Sequence, residues 1–161
     1  MRIKTLTLFL IVVVSIFLIA SLSIADTEVW GLIAQDTRWT MDKSPYIANG
    51  LVVKEGITLT IDPGVTVKFK PDTGLRVDGI LIARGTQEKP ITFTSFEKKE
   101  PGSWIGISFS ATSAPAELDS AGNYIKGSVL EYAVIEYAKT GLNVKASSIL
   151  IDHCMISHND N

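Results

Sequence analysis

The chain has 161 residues, 46% of them hydrophobic and 20% charged, with a formal net charge of −2. This length suffices for one domain with a substantial core. The mildly acidic balance provides no electrostatic footprint for nucleic acid, so no nucleic-acid partner is expected. Cys154 is the only cysteine, which excludes an intrachain disulfide and a cysteine-based zinc site. No motif for a cofactor or a metal is found, and none is expected.

Residues 1–25 have the pattern of a signal peptide. Arg2 and Lys4 precede an uncharged run over residues 5–25, and Ser23 and Ala25 place small residues before Asp26. The alternative is an uncleaved membrane anchor, because about 20 apolar residues suffice to span a bilayer. We therefore expect a secreted, periplasmic or cell-surface protein. Any contact with a membrane is expected only through residues 5–25, if they are not removed.

Residues 26–49 are predicted to be an N-terminal cap segment. They contain the aromatic residues Trp30, Trp39 and Tyr46 and show no clean period. The composition of the whole chain after Ala25 favours strands, with 23 valines and isoleucines against nine leucines, and 12 threonines. No sustained helical spacing of apolar residues is present.

Residues 50–161 contain an internal repeat. Each unit opens with a glycine and a short apolar run, followed by two further runs separated by turns. The opening runs are 50–53, 74–77, 106–109 and 141–144; the second runs are 57–61, 80–82, 129–130 and 149–151; the third runs are 65–69, 91–94, 134–137 and 155–158. Polar insertions at 97–102 and 111–126 lengthen two of the turns.

Three short strands per unit, stacked on like units, predict an all-β fold: a single-stranded parallel β-helix (solenoid) of about four coils, preceded by a signal helix and a short cap segment. A β-sandwich or an antiparallel meander is the alternative, but neither explains why the runs recur in one order. Alternation then predicts which residues face the core. The inward set is Leu51, Val53, Ile57, Leu59, Ile61, Val65, Val67, Phe69, Leu75, Val77, Ile80, Ile82, Ile91 and Phe93.

Several motifs resemble the opening of secreted right-handed parallel β-helix repeat proteins with the pectin-lyase-like fold. They are Trp39, Ser44-Pro45-Tyr46, residues 56–65, 77–81, Gly85-Thr86, 90–95 and 104–107. The resemblance implies the fold over residues 36–161. Its members include polysaccharide lyases and hydrolases, adhesins and accessory proteins. Such proteins run for more coils, so we expect a C-terminally truncated chain; the alternative is a short natural domain whose end a partner covers.

The candidate ligand-binding residues are Trp104, Glu131, Tyr132, Glu136 and Tyr137. An acid beside an aromatic ring suits a sugar site, because the ring stacks on the apolar face of the sugar and the acid bonds its hydroxyls. The alternative is that the glutamates are solvated and the tyrosines edge the core. Trp104 either shields the core edge or presents a ligand platform. His153, Cys154 and His158 could suggest a metal, but Cys154 aligns with the small residue Ala133 and is expected to pack inward.

These observations predict an exported, non-catalytic β-helix module with a structural or glycan-binding role and no catalytic residue of its own. A polysaccharide or cell-surface glycan is the expected partner. The alternative is the N-terminal part of a polysaccharide lyase or hydrolase whose catalytic coils lie beyond residue 161. A third possibility is a scaffold that self-associates end to end through its open C-terminal coil.

Overall fold

The computed structural model describes residues 26–145 and 148–161. In this part of the chain, sixteen strands and one short 3-10 turn, Met41–Lys43, account for the regular structure. The strands are β1 (Thr27–Ile33), β2 (Thr37–Trp39), β3 (Tyr46–Val53), β4 (Thr58–Ile61), β5 (Thr66–Phe69), β6 (Gly74–Val77), β7 (Ile80–Arg84), β8 (Ile91–Ser95), β9 (Gly106–Phe109), β10 (Glu117–Leu118), β11 (Tyr124–Lys126), β12 (Val129–Glu131), β13 (Ala133–Glu136), β14 (Leu142–Val144), β15 (Leu150–Asp152) and β16 (Met155–Ser157).

No helix within 26–145 or 148–161 is both long and apolar enough to cross a membrane. The predicted signal helix, residues 1–25, lies outside the described residues.

The strands stack in parallel on three faces. Face 1 contains 31–33 of β1, 51–53 of β3, β6, β9 and β14. Face 2 contains β2, β4, β7, β12 and β15. Face 3 contains 27–30 of β1, 46–48 of β3, β5, β8, β13 and β16. The chain visits faces 1, 2 and 3 in turn, so the fold is the predicted parallel β-helix.

Apolar residues form rows that run through successive coils inside the solenoid. On face 3 the row is Tyr46, Val67, Phe93, Ile135 and Ile156. Like side chains therefore recur every ~4.8 Å along the axis, and their burial supplies the main stabilisation of the fold.

The predicted cap segment contributes a coil of its own. Its strands β1 and β2 pair in parallel with β3 and β4, and the ring of Trp39 stacks on that of Tyr46 with centroids 4.7 Å apart. The four predicted units and this first coil give five coils in total. Both β1 and β3 turn from face 3 onto face 1 at a glycine with positive φ, Gly31 and Gly50. The expected boundary at residue 50 therefore falls inside β3.

The inward assignment of Ile80 and Ile82 is wrong. Leu81 and Ala83 are fully buried, and they pair in register with the core residues Leu59 and Ile61. Alternation carried from the inward Val77 through the short corner at Asp78-Gly79 places Leu81 inward. The corner does not reset the phase, because the chain passes it in two residues.

The longer insertion is an antiparallel hairpin, β10–β11, that lies against face 2. Val129 belongs to the same outward row as Ile82, yet it is fully buried. Backbone bonds from Ala114 to Gly79 and from Ala116 to Ser148 hold the insertion along this face. The outward isoleucines of β7 therefore lie in a partly covered apolar row.

Candidate functional site

Two corners of the last coils carry aromatic side chains on left-handed backbone. Tyr132 (φ 45°) and His153 (φ 49°) occupy the corner between faces 2 and 3, one coil apart. Their rings stack with centroids 4.6 Å apart and an interplanar angle of 15°. The positive φ turns the chain sharply at these positions, and both side chains lie outside the hydrophobic core.

An open slot lies beside the Tyr132 corner. The same corner is occupied by Gly85 one coil earlier and by Pro63 two coils earlier. Gly85 lies close against the next coil, and a Cβ there would lie 2.5 Å from the carbonyl oxygen of Tyr132, so only glycine fits. An open cavity of 450 Å³ adjoins this corner and is lined by Pro63, Arg84, Gly85, Thr86, Gln87, Glu88, Glu131 and Tyr132.

Charged residues form a row beside this aromatic corner. Arg84, Glu131 and Asp152 occupy equivalent positions on β7, β12 and β15. Arg84 Nε donates to Glu131 Oε2 at 2.6 Å, and its guanidinium also lies 5.2 Å from the centre of the Tyr124 ring. His153 Nδ1 lies 2.8 Å from Asp152 Oδ1. The ion pair fixes the Glu131 carboxylate at the mouth of the slot.

The structure divides the predicted residues between two corners. Glu131 and Tyr132 line the slot, whereas Glu136 and Tyr137 lie at the opposite end of β13. Glu136 Oε1 accepts a hydrogen bond from Thr94 at 2.9 Å. Tyr137 packs against the core and its ring lies 5.6 Å from that of His158. The four residues therefore do not form one site.

Trp104 does not present a ligand platform. Its side chain is 1% exposed, and its ring stacks on Phe69 with centroids 4.2 Å apart and an angle of 5°. The indole Nε1 donates to the backbone oxygen of Glu136 at 2.8 Å. Both the ring faces and the single polar atom are thus engaged within the protein, which corrects the expectation of a binding role.

Within the described residues, no group of three or more histidine, cysteine or acidic side chains is placed to hold a metal ion. Cys154 is half-buried against the core, and its thiol donates to the backbone oxygen of Leu130. Burial raises the pKa of the Cys154 thiol, although hydrogen bonds from the backbone of Ala133 and Asp152 oppose the shift.

The sequence analysis did not assign Arg84, Gly85 or His153 to this site. The 21-residue step between the last two coils aligns Leu130 with Ile151, and it therefore also aligns Tyr132 with His153. The position of His153 beside Tyr132 could therefore be read from the sequence. The pairing of Arg84 with Glu131 could not, because the two residues are separated by 47 positions and by the inserted hairpin.

The slot suits a flat ring with hydroxyl groups. Pro63 and Tyr132 line the slot two coil spacings apart, roughly 9.6 Å along the axis, with the backbone of Gly85 between them. The Tyr132 ring supplies an apolar face, while Glu131, Gln87 and Thr86 supply polar groups at the edges. Such a combination of an apolar wall and a few polar groups is typical of ligand sites.

A family model described as "Pectate-lyase like beta helix domain" matches residues 31–146. Protein bark beetle of Drosophila melanogaster is 37% identical over 78 residues, which are 48% of this chain and 2% of that protein. The chain thus spans only a small part of the length of this relative. No solved structure matches. The match over residues 31–146, together with the three-faced parallel solenoid, shows that the chain belongs to the pectate-lyase-like β-helix domain family.

Proposed function

We propose that this protein is an exported, non-catalytic β-helix module that binds an extended glycan at the slot beside Tyr132. The 450 Å³ cavity beside Tyr132 carries the proposal, because it brings an aromatic ring together with charged and polar side chains in one open hollow. One face of the Tyr132 ring is supported by His153, so the ring is held in place before a ligand arrives. Pre-positioned groups lower the entropic cost of binding.

The groups around the ring favour a glycan over an apolar ligand. Arg84, Glu131, Gln87 and Glu88 surround the slot with donors and acceptors. Glu131 Oε2 is occupied by Arg84, which leaves its second oxygen to accept from a hydroxyl. The signal-peptide pattern of residues 1–25 supports export to a compartment that contains polysaccharides.

The test is binding to a panel of soluble neutral and uronic-acid polysaccharides by affinity gel electrophoresis. We expect retardation by at least one polysaccharide and a loss of about tenfold in affinity, ~1.4 kcal/mol, in Tyr132→Asn. Asparagine tolerates left-handed backbone, so the substitution removes the ring without distorting the corner. Tyr137→Asn makes the same change at the other corner and serves as the control. The absence of binding across the panel overturns the proposal.

The description of the matching family favours a second candidate, in which these coils belong to a polysaccharide lyase or hydrolase whose catalytic coils lie beyond residue 161. A lyase generates unsaturated uronides that absorb near 235 nm, and a hydrolase releases reducing ends. We expect neither product from the 161-residue chain. Either product, formed at a rate proportional to protein concentration, would establish an enzyme and contradict the non-catalytic proposal.

Exposed apolar side chains on the last coil support a third proposal, end-to-end self-association through this coil. Val144, Ile151, Met155 and Ile156 are each at least 39% exposed. Sedimentation at increasing protein concentration is expected to show a rising mass, and Ile156→Lys is expected to hold the chain as a monomer. A parent chain that stays monomeric at every concentration rules this out.

A further inference from the structure

The first coil exposes an apolar end that the glycan slot does not involve. Trp30 is 69% exposed and Leu32 is 60% exposed, both on β1. β1 pairs only with β3, so no strand among the described residues covers its other edge. A hollow of 510 Å³ lies at this end, with Val29, Ile33 and Trp39 contributing to its apolar lining.

Trp30 differs from the other two tryptophans of the chain, because Trp39 and Trp104 are 4% and 1% exposed. A large exposed aromatic residue next to an exposed leucine on an open strand edge marks a surface that another body covers. Among the charges near this end, Glu28 pairs with Lys70 at 3.1 Å and Arg38 pairs with Asp62 at 2.8 Å, so neither of these two pairs leaves a net charge.

The chain that precedes β1 indicates which body covers this end. Residues 5–25 carry no charge and are long enough to cross a bilayer. Only two residue steps separate Ala25 from Thr27, the first residue of β1, and two steps reach about 7 Å at most. When residues 5–25 occupy a bilayer, β1 therefore begins at the surface of that bilayer, and Trp30 lies three residues farther along.

We propose that the first coil of the leader-bearing chain rests on a lipid surface, with Trp30 and Leu32 inserted at the interface between headgroups and acyl chains. Tryptophan prefers this zone because its ring is apolar and its N–H is polar. The outward edge of β1 stays at the level of the hydrated headgroups, where water satisfies its backbone groups. The contact is apolar, so it requires no anionic lipid and is insensitive to salt.

The experiment reconstitutes the full 161-residue chain with phosphatidylcholine vesicles that contain lipids brominated close to the headgroup. The emission of Trp30 is obtained as the difference between the parent and Trp30→Phe. We expect about a twofold loss of this emission in brominated vesicles, equal at low and high salt. Trp39 and Trp104 are buried, so their emission is expected to stay constant.

The control moves the probe to a site of similar exposure away from the first coil. Ile125 is 56% exposed on the β10–β11 hairpin, which follows β9 of the fourth coil, roughly 14 Å farther along the axis. In the chain carrying both Trp30→Phe and Ile125→Trp, the emission of the introduced tryptophan is expected to stay unquenched in brominated vesicles. Unquenched Trp30 overturns the proposal, whether or not the chain floats with the vesicles. Trp30 shielded from acrylamide in a lipid-independent dimer also overturns it, because a second copy then covers this end.

Discussion

At the scale of single residues, the corners of the solenoid combine backbone cost with side-chain display. Tyr132 and His153 adopt a left-handed conformation that costs roughly 1–2 kcal/mol for a residue with a Cβ. The stack between their rings offsets part of this cost. A glycine would relieve the backbone at Tyr132, but it would remove the ring that forms the wall of the slot. This combination of local strain and a half-buried aromatic ring beside a cavity is expected of a functional position.

Asp78 makes the stability of the fold depend on pH. Partial burial opposes its ionisation, but hydrogen bonds from Ser110 and Arg76 outweigh burial and hold the pKa of Asp78 below its usual value. A lowered folded-state pKa contributes stability above the unfolded-state pKa of about 3.9, and this contribution is lost as the pH falls further. We therefore expect the urea midpoint to fall between pH 7 and pH 3, and to fall less in Asp78→Asn. An equal decrease in both proteins would contradict this role.

Cys154 is expected to react slowly with thiol reagents. Burial raises the pKa of its thiol, and the thiolate is the reactive form. Labelling with a maleimide at pH 7.5 should proceed at least about tenfold faster in denaturant than in the native protein. Cys154→Ala should fold normally and remain unlabelled, because Ala133 fills the equivalent position one coil earlier. Equal rates in the two states would show that the thiol is free in the fold.

At the scale of elements, the repeat predicts the strands where glycines and β-branched residues mark them. The runs that follow Gly50, Gly74, Gly106 and Gly141 contain the strands of face 1, as predicted. β1 and β2 were not predicted, because residues 26–49 show no clean period in the sequence. The candidate site was predicted only in part, because contacts between coils depend on the register of the strands. The insertions hide this register from the sequence.

The phase of β7 can be tested by a pair of neighbouring substitutions. Leu81 is fully buried between core residues, whereas Ile80 lies half-buried on the outer side of face 2. Leu81→Ala should lower the free energy of unfolding by about 2–5 kcal/mol because it leaves a cavity. Ile80→Ala should cost clearly less, and urea denaturation measures both. A larger cost for Ile80→Ala would restore the inward assignment of the isoleucines.

At the scale of the whole molecule, the solenoid places different chemistries at separate positions along one axis. The first coil presents Trp30 and Leu32 at one end, and the slot beside Tyr132 spans the second to the fourth coil on one corner. Each coil adds its side chains to the same three faces, so a corner can carry a cavity without disturbing the core. Binding at the slot and contact at the first coil are therefore expected to be independent.

Trp104 connects one insertion to the core and gives a test of the solenoid as a unit. Its ring stacks on Phe69 and bonds to the backbone of β13, so it links the second and fourth coils. Trp104→Ala should lower the free energy of unfolding by about 3–5 kcal/mol. Glycan binding by the remaining folded protein should be unchanged. A Trp104→Ala variant that keeps its stability but loses glycan binding would show that Trp104 contributes to the ligand site.

The most direct measurement is hydrogen–deuterium exchange of the full chain with and without the best-binding polysaccharide. Glycan binding at the slot should slow exchange of the amides in residues 86–88, which form the exposed rim, and of those around Tyr132. The opposite corner, residues 70–73 and Tyr137, should exchange at the same rate in both samples. Protection confined to that opposite corner, or to face 1, would contradict the account.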